Sequence, residues 1–145
     1  MTATSSDITD FWAVLLRGQL ISNASVSKMI TPVGAAKEAG YGYGVQVMDG
    51  VFTGKGVLYG HSGGGFGSTA MALSSRDGRR RMTYMTTGRP YDKERYLQMA
   101  EGQYAVMDAA FAVTTNRAGK APGYNRAAAR REALPFLEQF RFRIG

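Results

Sequence analysis

His61 is the only histidine in this 145-residue chain, and it stands at the head of a glycine run, His61-Ser62-Gly63-Gly64-Gly65-Phe66-Gly67. Glycines let a ligand approach the main chain closely, and the freed N–H groups are able to point at an anion. Gly54-Lys55-Gly56-Val57-Leu58-Tyr59-Gly60 precedes the run as a turn entering a strand. Ser68-Thr69-Ala70-Met71-Ala72-Leu73 follows it as a small, apolar strand. A glycine run of this kind at a strand edge suits a backbone-lined binding groove. A glycine hairpin with no ligand has the same spacing, and spacing alone leaves both readings open.

Few other residues offer chemistry. Ser25-Val26-Ser27-Lys28 fits a Ser-x-x-Lys pattern, in which a lysine activates a serine nucleophile. A four-residue pattern with two fixed positions recurs by chance, however. The chain has no cysteine, which excludes disulfides and thiol chemistry. One histidine and scattered carboxylates give no metal cluster, so neither a metal nor a cofactor is expected. The eight methionines read as core filler. Lys plus Arg is 18 against 11 Asp plus Glu, a net charge of +7. Residues 113–145 hold most of that excess, with seven basic residues against two acidic. Arg79-Arg80-Arg81 is a second basic cluster beside the Asp77-Gly78 turn signal. No nucleic-acid reader motif accompanies either cluster, so nucleic acid is not an expected partner. No run of residues approaches transmembrane length, and the polar stretch at residues 1–12 lacks the pattern of a signal peptide.

The elements that must position the glycine run follow from periodicity. Thr4-Ser5-Ser6-Asp7 offers N-cap chemistry for a helix over residues 8–17, with an apolar stripe of Ile8, Phe11, Trp12, Leu15 and Leu16. Gly18 stops it. A short helix is expected over residues 25–29, before Thr31-Pro32. Tyr41-Gly42-Tyr43-Gly44-Val45-Gln46-Val47 reads as a first strand, the glycine run as the next, and residues 80–87 as a third or fourth. The apolar Met82, Tyr84 and Met85 suggest that this last strand is covered on both faces. The longest helix is expected over residues 91–112, with a stripe of Tyr96, Met99, Ala100, Gln103, Met107, Ala110 and Phe111. A Gly/Pro/Lys-containing linker (residues 116–126) and an interrupted helical tail (126–140) complete the chain. The expected fold class is α+β: an antiparallel sheet of three to four strands with a C-terminal packing helix. Residues 1–112 form the domain and 113–145 a basic linker and tail. Hydrophobic content is 44%, consistent with a packed core.

The order Tyr-Gly-Tyr-Gly, then Gly-His-Ser-Gly-Gly, then a Phe-Gly element, two more strands and a closing helix resembles a known family. It is the C-terminal part of the serine β-lactamase and D-Ala-D-Ala carboxypeptidase family, in its class C-like, penicillin-binding-protein-type branch. The resemblance covers residues 2–112. It implies that His61-Ser62-Gly63 is the family's Lys/His-Ser/Thr-Gly triplet on the strand bordering the active site. By that analogy His61 sets charge and proton positions beside the nucleophile and Ser62 binds the substrate carboxylate, both as catalytic-site residues. Gly63, Gly64 and Gly65 would line the substrate, and Gly64 would supply an oxyanion-hole N–H. The strand would lie at the outer edge of the sheet and pair with an extended acyl-peptide.

The departures from the family matter as much. Its Ser-x-x-Lys and Tyr-x-Asn motifs normally lie far upstream of the triplet. Ser25 and Lys28 fall instead in residues 20–32, which follow the family's linker pattern, and Tyr124-Asn125 lacks the intervening residue. The chain is therefore expected to carry the active-site strand without its own nucleophile. It would be a truncated hydrolase, one half of a split enzyme, or a non-catalytic module that keeps the groove. The expected partners are a peptide-like or β-lactam-like small molecule and either a complementary N-terminal half or a second copy. The family often works in the periplasm or outside the cell.

Overall fold

Thr4 opens the first helix through a reciprocal capping box. Its hydroxyl accepts the Asp7 N–H at 3.2 Å, and the Asp7 carboxylate accepts the Thr4 N–H at 2.8 Å. Helix α1 (Ser5–Leu16) then runs until Gly18, whose positive φ of 73° lets the chain leave the helical path. Helix α2 (Asn23–Met29) is capped by the Ser22 hydroxyl, which accepts the Ser25 N–H at 3.1 Å. The computed structural model describes residues 3–49, 56–88, 90 and 92–112. Four strands follow α2: β1 (Gln46–Met48), β2 (Leu58–Gly65), β3 (Ser68–Ser75) and β4 (Arg81–Thr87). They pair antiparallel in chain order, β1-β2-β3-β4, and α3 (Lys93–Ala112) closes the described chain. The fold is α+β, as expected.

Strand alternation gives the sheet two apolar faces. Met48, Leu58, Met71 and Leu73 meet Tyr104, Met107 and Phe111 of α3, with Met82 and Tyr84 packed alongside. Ala72 and Tyr59 face the other way, where Trp12, Leu15 and Leu16 of α1 and Val26 of α2 complete a second cluster with Val45. Helix α1 is also tied to the far strand. Thr9 and Thr83 share a hydroxyl hydrogen bond of 2.9 Å, and Arg81 pairs with Asp10 at 3.0 Å. On the α3 face, the Gln103 amide donates to both Thr69 and Thr86, at 3.1 and 3.2 Å. These two contacts anchor α3 near the β2–β3 hairpin.

Several expectations need correction. Residues 41–44 are not strand. Gly42 N–H bonds Val45 O at 2.8 Å, Gly44 has a φ of 69°, and only a single bridge, Tyr41 to Gln46, joins the two ends of this turn. A Cβ on Gly42 would lie 1.9 Å from Met29 O, so the turn sits directly against the end of α2. Phe11 is 49% exposed and is not part of the α1 core. On α3, most of the expected stripe faces inward and Gln103 is half-buried against the sheet, but Ala110 is exposed, and Leu97 and Tyr104 are buried in addition. Strand β4 is not covered on both faces throughout. Met85 is 51% exposed, on the face that α1 covers only near Thr83. The turn at residues 54–55, the helix start at Tyr91, the linker and the tail lie outside the described residues.

Candidate active site

The turn at residues 42–45 creates the site by withdrawing the first strand. β1 reaches only as far as the Gln46–Gly60 pair, and Gly44 then takes the chain off the sheet. β2 continues for five further residues, bonded on one side to β3 through to the Gly65–Ser68 pair. On its other side, residues 61–65 meet no strand among the described residues. A central strand thus becomes an edge from His61 onward, the position expected for the glycine run.

Main-chain polarity along that edge is set by parity. The Ser62 N–H points toward the β1 side, since it donates to Gln46 Oε1 at 3.0 Å. The N–H and C=O of one strand residue share a side, and sides alternate along the strand. Gly64, two residues on, therefore presents its N–H and C=O to the same open side. Residues 63, 64 and 65 are all exposed. A Cβ built on Gly63 meets nothing within 4 Å, and one on Gly65 meets only Ser68 Oγ at an ordinary 3.6 Å. Neither glycine has a positive φ. The fold itself does not require glycine at these two positions. Gly60 differs: its Cβ would fall 1.8 Å from Ala72 O, so the β2–β3 approach demands it.

The side chains of His61 and Ser62 diverge to opposite faces of the sheet. Ser62 pairs with Met71, on the α3 side, and its hydroxyl is enclosed with no hydrogen-bond partner among the described residues. His61 lies on the side of α1 and α2. Its Nδ1 is against the Ser62 carbonyl oxygen, and its Nε2 is 2.7 Å from Tyr41 Oη. A carbonyl only accepts, so Nδ1 carries the proton and Nε2 accepts from the phenol in the neutral ring. Sequence reasoning missed Tyr41 and Gln46. The available signal was the Tyr-Gly-Tyr-Gly pattern, whose first tyrosine and following glutamine are spaced to flank a turn.

Ser25 and Lys28 lie on α2 with both side chains exposed. The Ser25 hydroxyl is 2.9 Å from Ser22 Oγ, and no hydrogen bond joins Ser25 to Lys28 among the described residues. Away from the β2 edge, Arg17, Arg76, Arg79 and Arg80 line an open cleft of about 1120 Å³ with Tyr59 and Asp77. Asp77 serves the turn there. Its carboxylate accepts from the Ser75 hydroxyl and the Arg79 N–H, and these bonds hold its pKa below the usual range. Among the described residues no group of three His, Cys, Asp or Glu side chains is placed to hold a metal, and no helix is long and apolar enough to cross a membrane.

No family model matches the sequence, and no curated protein matches it. Among solved structures the chain is similar to a D-stereospecific amidohydrolase from Streptomyces sp.. The two are 28% identical with a TM-score of 0.50, over 59% of this chain and 25% of that one. The matched part of this chain thus spans only a quarter of the length of that enzyme, which has the β-lactamase/transpeptidase fold. The likeness supports the broad β-lactamase-like fold and a general relationship to its hydrolases.

Proposed function

We propose that this chain is the C-terminal portion of a β-lactamase/DD-peptidase-like serine hydrolase. It would contribute the substrate-binding edge for acyl transfer on a peptide-like or ester substrate. The observation that carries this reading is the outward N–H of Gly64, exposed and unpaired among the described residues, on an edge headed by His61. Such a donor stabilises the oxyanion of a tetrahedral intermediate, and each one typically contributes about 3–4 kcal/mol to the transition state. Similarity to a D-stereospecific amidohydrolase favours an amide substrate of D-configuration. Gly63 and Gly65 leave space for that substrate. Carboxylate binding by Ser62 requires its hydroxyl to turn from the α3 side toward the edge.

The nucleophile comes from elsewhere, because the Ser25 hydroxyl is engaged with its helix cap and not with Lys28. That same observation favours a second reading, a non-catalytic module that binds the ligand on this edge. Titrating the ¹⁵N-labelled chain with acetyl-D-Ala-D-Ala tests what both readings share. The amide signals of Gly63, Gly64 and Gly65 should shift together. A titration that leaves all three unmoved removes the site. Adding a complementary segment that bears Ser-x-x-Lys and Tyr-x-Asn then separates the readings, since only the hydrolase portion gains turnover.

A further inference from the structure

Ser62 is the one residue of the open edge whose outward main-chain groups are both occupied by side chains. Gln46 Oε1 accepts its N–H at 3.0 Å, and His61 Nδ1–H donates to its C=O. Neither contact is incidental to an exposed surface. Gln46 is only 7% exposed, on a strand whose own pairing ends at that residue. His61 is held in place by Tyr41 through Nε2. On the inner side of the same level, Gly60 pairs with Gln46 itself. Toward the hairpin, Gly64 is the next residue with outward groups, and neither of them has a partner among the described residues.

We infer that Gln46 and His61 cap the edge at Ser62 and so confine strand addition to Gly64. This deepens the proposed function and rests on the same edge. A ligand residue lying antiparallel to β2 there makes one N–H···O and one O···H–N bond, both with Gly64. A second ligand residue, two positions along, would need the Ser62 groups and finds them taken. The edge is therefore specific for short acyl-dipeptide-type ligands, with one pairing residue, and not for long extended peptides. Gln46 is the length-determining residue, and Tyr41 is a positioning residue that acts through His61.

Amide hydrogen exchange by NMR tests the capping without any ligand. In the wild-type chain Ser62 N–H should exchange at least about tenfold more slowly than Gly64 N–H, although both point off the same edge. Gln46→Leu, which keeps the volume but removes the acceptor, should abolish the difference, and Gln46→Glu should restore it. Equal exchange at Ser62 and Gly64 in the wild type, or an unchanged Ser62 rate in Gln46→Leu, overturns the inference. If Gln46→Leu does not fold, Tyr41→Phe serves in its place, and it should loosen the carbonyl side of the cap. For the ligand arm, acetyl-D-Ala-D-Ala and acetyl-(D-Ala)4 should bind the wild type equally, while Gln46→Leu should favour the longer peptide. Tighter binding of the tetrapeptide by the wild type also overturns the length limit. Binding of neither peptide, with Ser62 still protected, refutes the proposed ligand site while supporting the cap.

Discussion

Tyr41 Oη and His61 Nε2 are 2.7 Å apart, and the two rings meet edge to face with centroids separated by 5.6 Å. With Nδ1 against the Ser62 carbonyl, the phenolic proton of Tyr41 is directed at the Nε2 lone pair. The lone pair that would make His61 a general base is thus already in use. Tyr41, whose oxygen keeps its own lone pairs, becomes part of the site.

With a single histidine in the chain, the tautomer is readable from one set of ring signals. Long-range ¹H–¹⁵N correlation of the neutral ring should show the Nδ1–H form, the less common one in free histidine. Tyr41→Phe should return the ring to a mixture and cost about 1 kcal/mol of stability, the usual net value of one hydrogen bond. A dominant Nε2–H form in the wild type would reverse the assignment.

The glycines should divide by substitution. Gly63→Ala should leave thermal stability unchanged or raise it by up to about 1 kcal/mol, since its extended backbone tolerates a Cβ and the unfolded chain loses freedom. Gly60→Ala and Gly42→Ala should each destabilise by at least the roughly 1–3 kcal/mol of an overpacked core, because both Cβ atoms would overlap a carbonyl oxygen. Denaturant midpoints measured on the three variants decide this. Equal losses at all three positions would mean that the edge glycines are structural after all.

Gly64→Pro removes a donor that the β2–β3 ladder does not use. The variant should stay folded, as proline is tolerated where the N–H faces away from the sheet. In a hydrolase reconstituted with a complementary nucleophile-bearing segment, it should lower turnover about 10²–10³-fold. His61→Ala should lower it as well, through the lost cap on Ser62. Unaltered kinetics in both folded variants would separate the edge from catalysis.

Tyr84 packs against the α3 cluster, and its burial, with Tyr96 nearby, raises its hydroxyl pKa well above the ordinary value of 10.0. The folded state therefore keeps a proton there that the unfolded chain releases near pH 10. Its contribution to stability is complete below that pH and declines as pH rises through and beyond it. Tyr84→Phe should flatten the alkaline slope of the melting temperature. A slope identical to that of the wild type between about pH 9 and 11 would show that Tyr84 ionises freely.

Much of this architecture is visible in local chemistry. Thr4 and Asp7 announce the first helix, Asp77-Gly78 the β3–β4 turn, and the small, apolar run of residues 68–73 a strand. The two-sided packing of the sheet follows from Met71, Ala72 and Leu73 being apolar in succession. What local pattern could not supply was the end of β1. Tyr41, Tyr43, Val45 and Val47 alternate as a strand would, and the glycines between them are compatible with one. The decisive contact is tertiary: Met29 O occupies the space where a side chain of residue 42 would stand. The same gap hid Gln46 and Tyr41, whose roles depend on where the turn delivers them. On α3 apolar residues occur on more than one arc, and only the tertiary cluster that includes Met48 and Leu58 reveals that Tyr104 joins the core and Ala110 does not.

Gly42 leaves no slack between its turn and the last turn of α2, and Tyr43 N–H clasps Met29 O at 2.9 Å across the same junction. Helix end and turn are therefore bonded and close-packed at one junction. Tyr41 stands at the start of that turn, and its hydroxyl reaches His61. The orientation of the imidazole on the sheet edge is thus anchored, through Tyr41 and residue 42, to the C-terminal end of a seven-residue helix that belongs to no strand of the sheet.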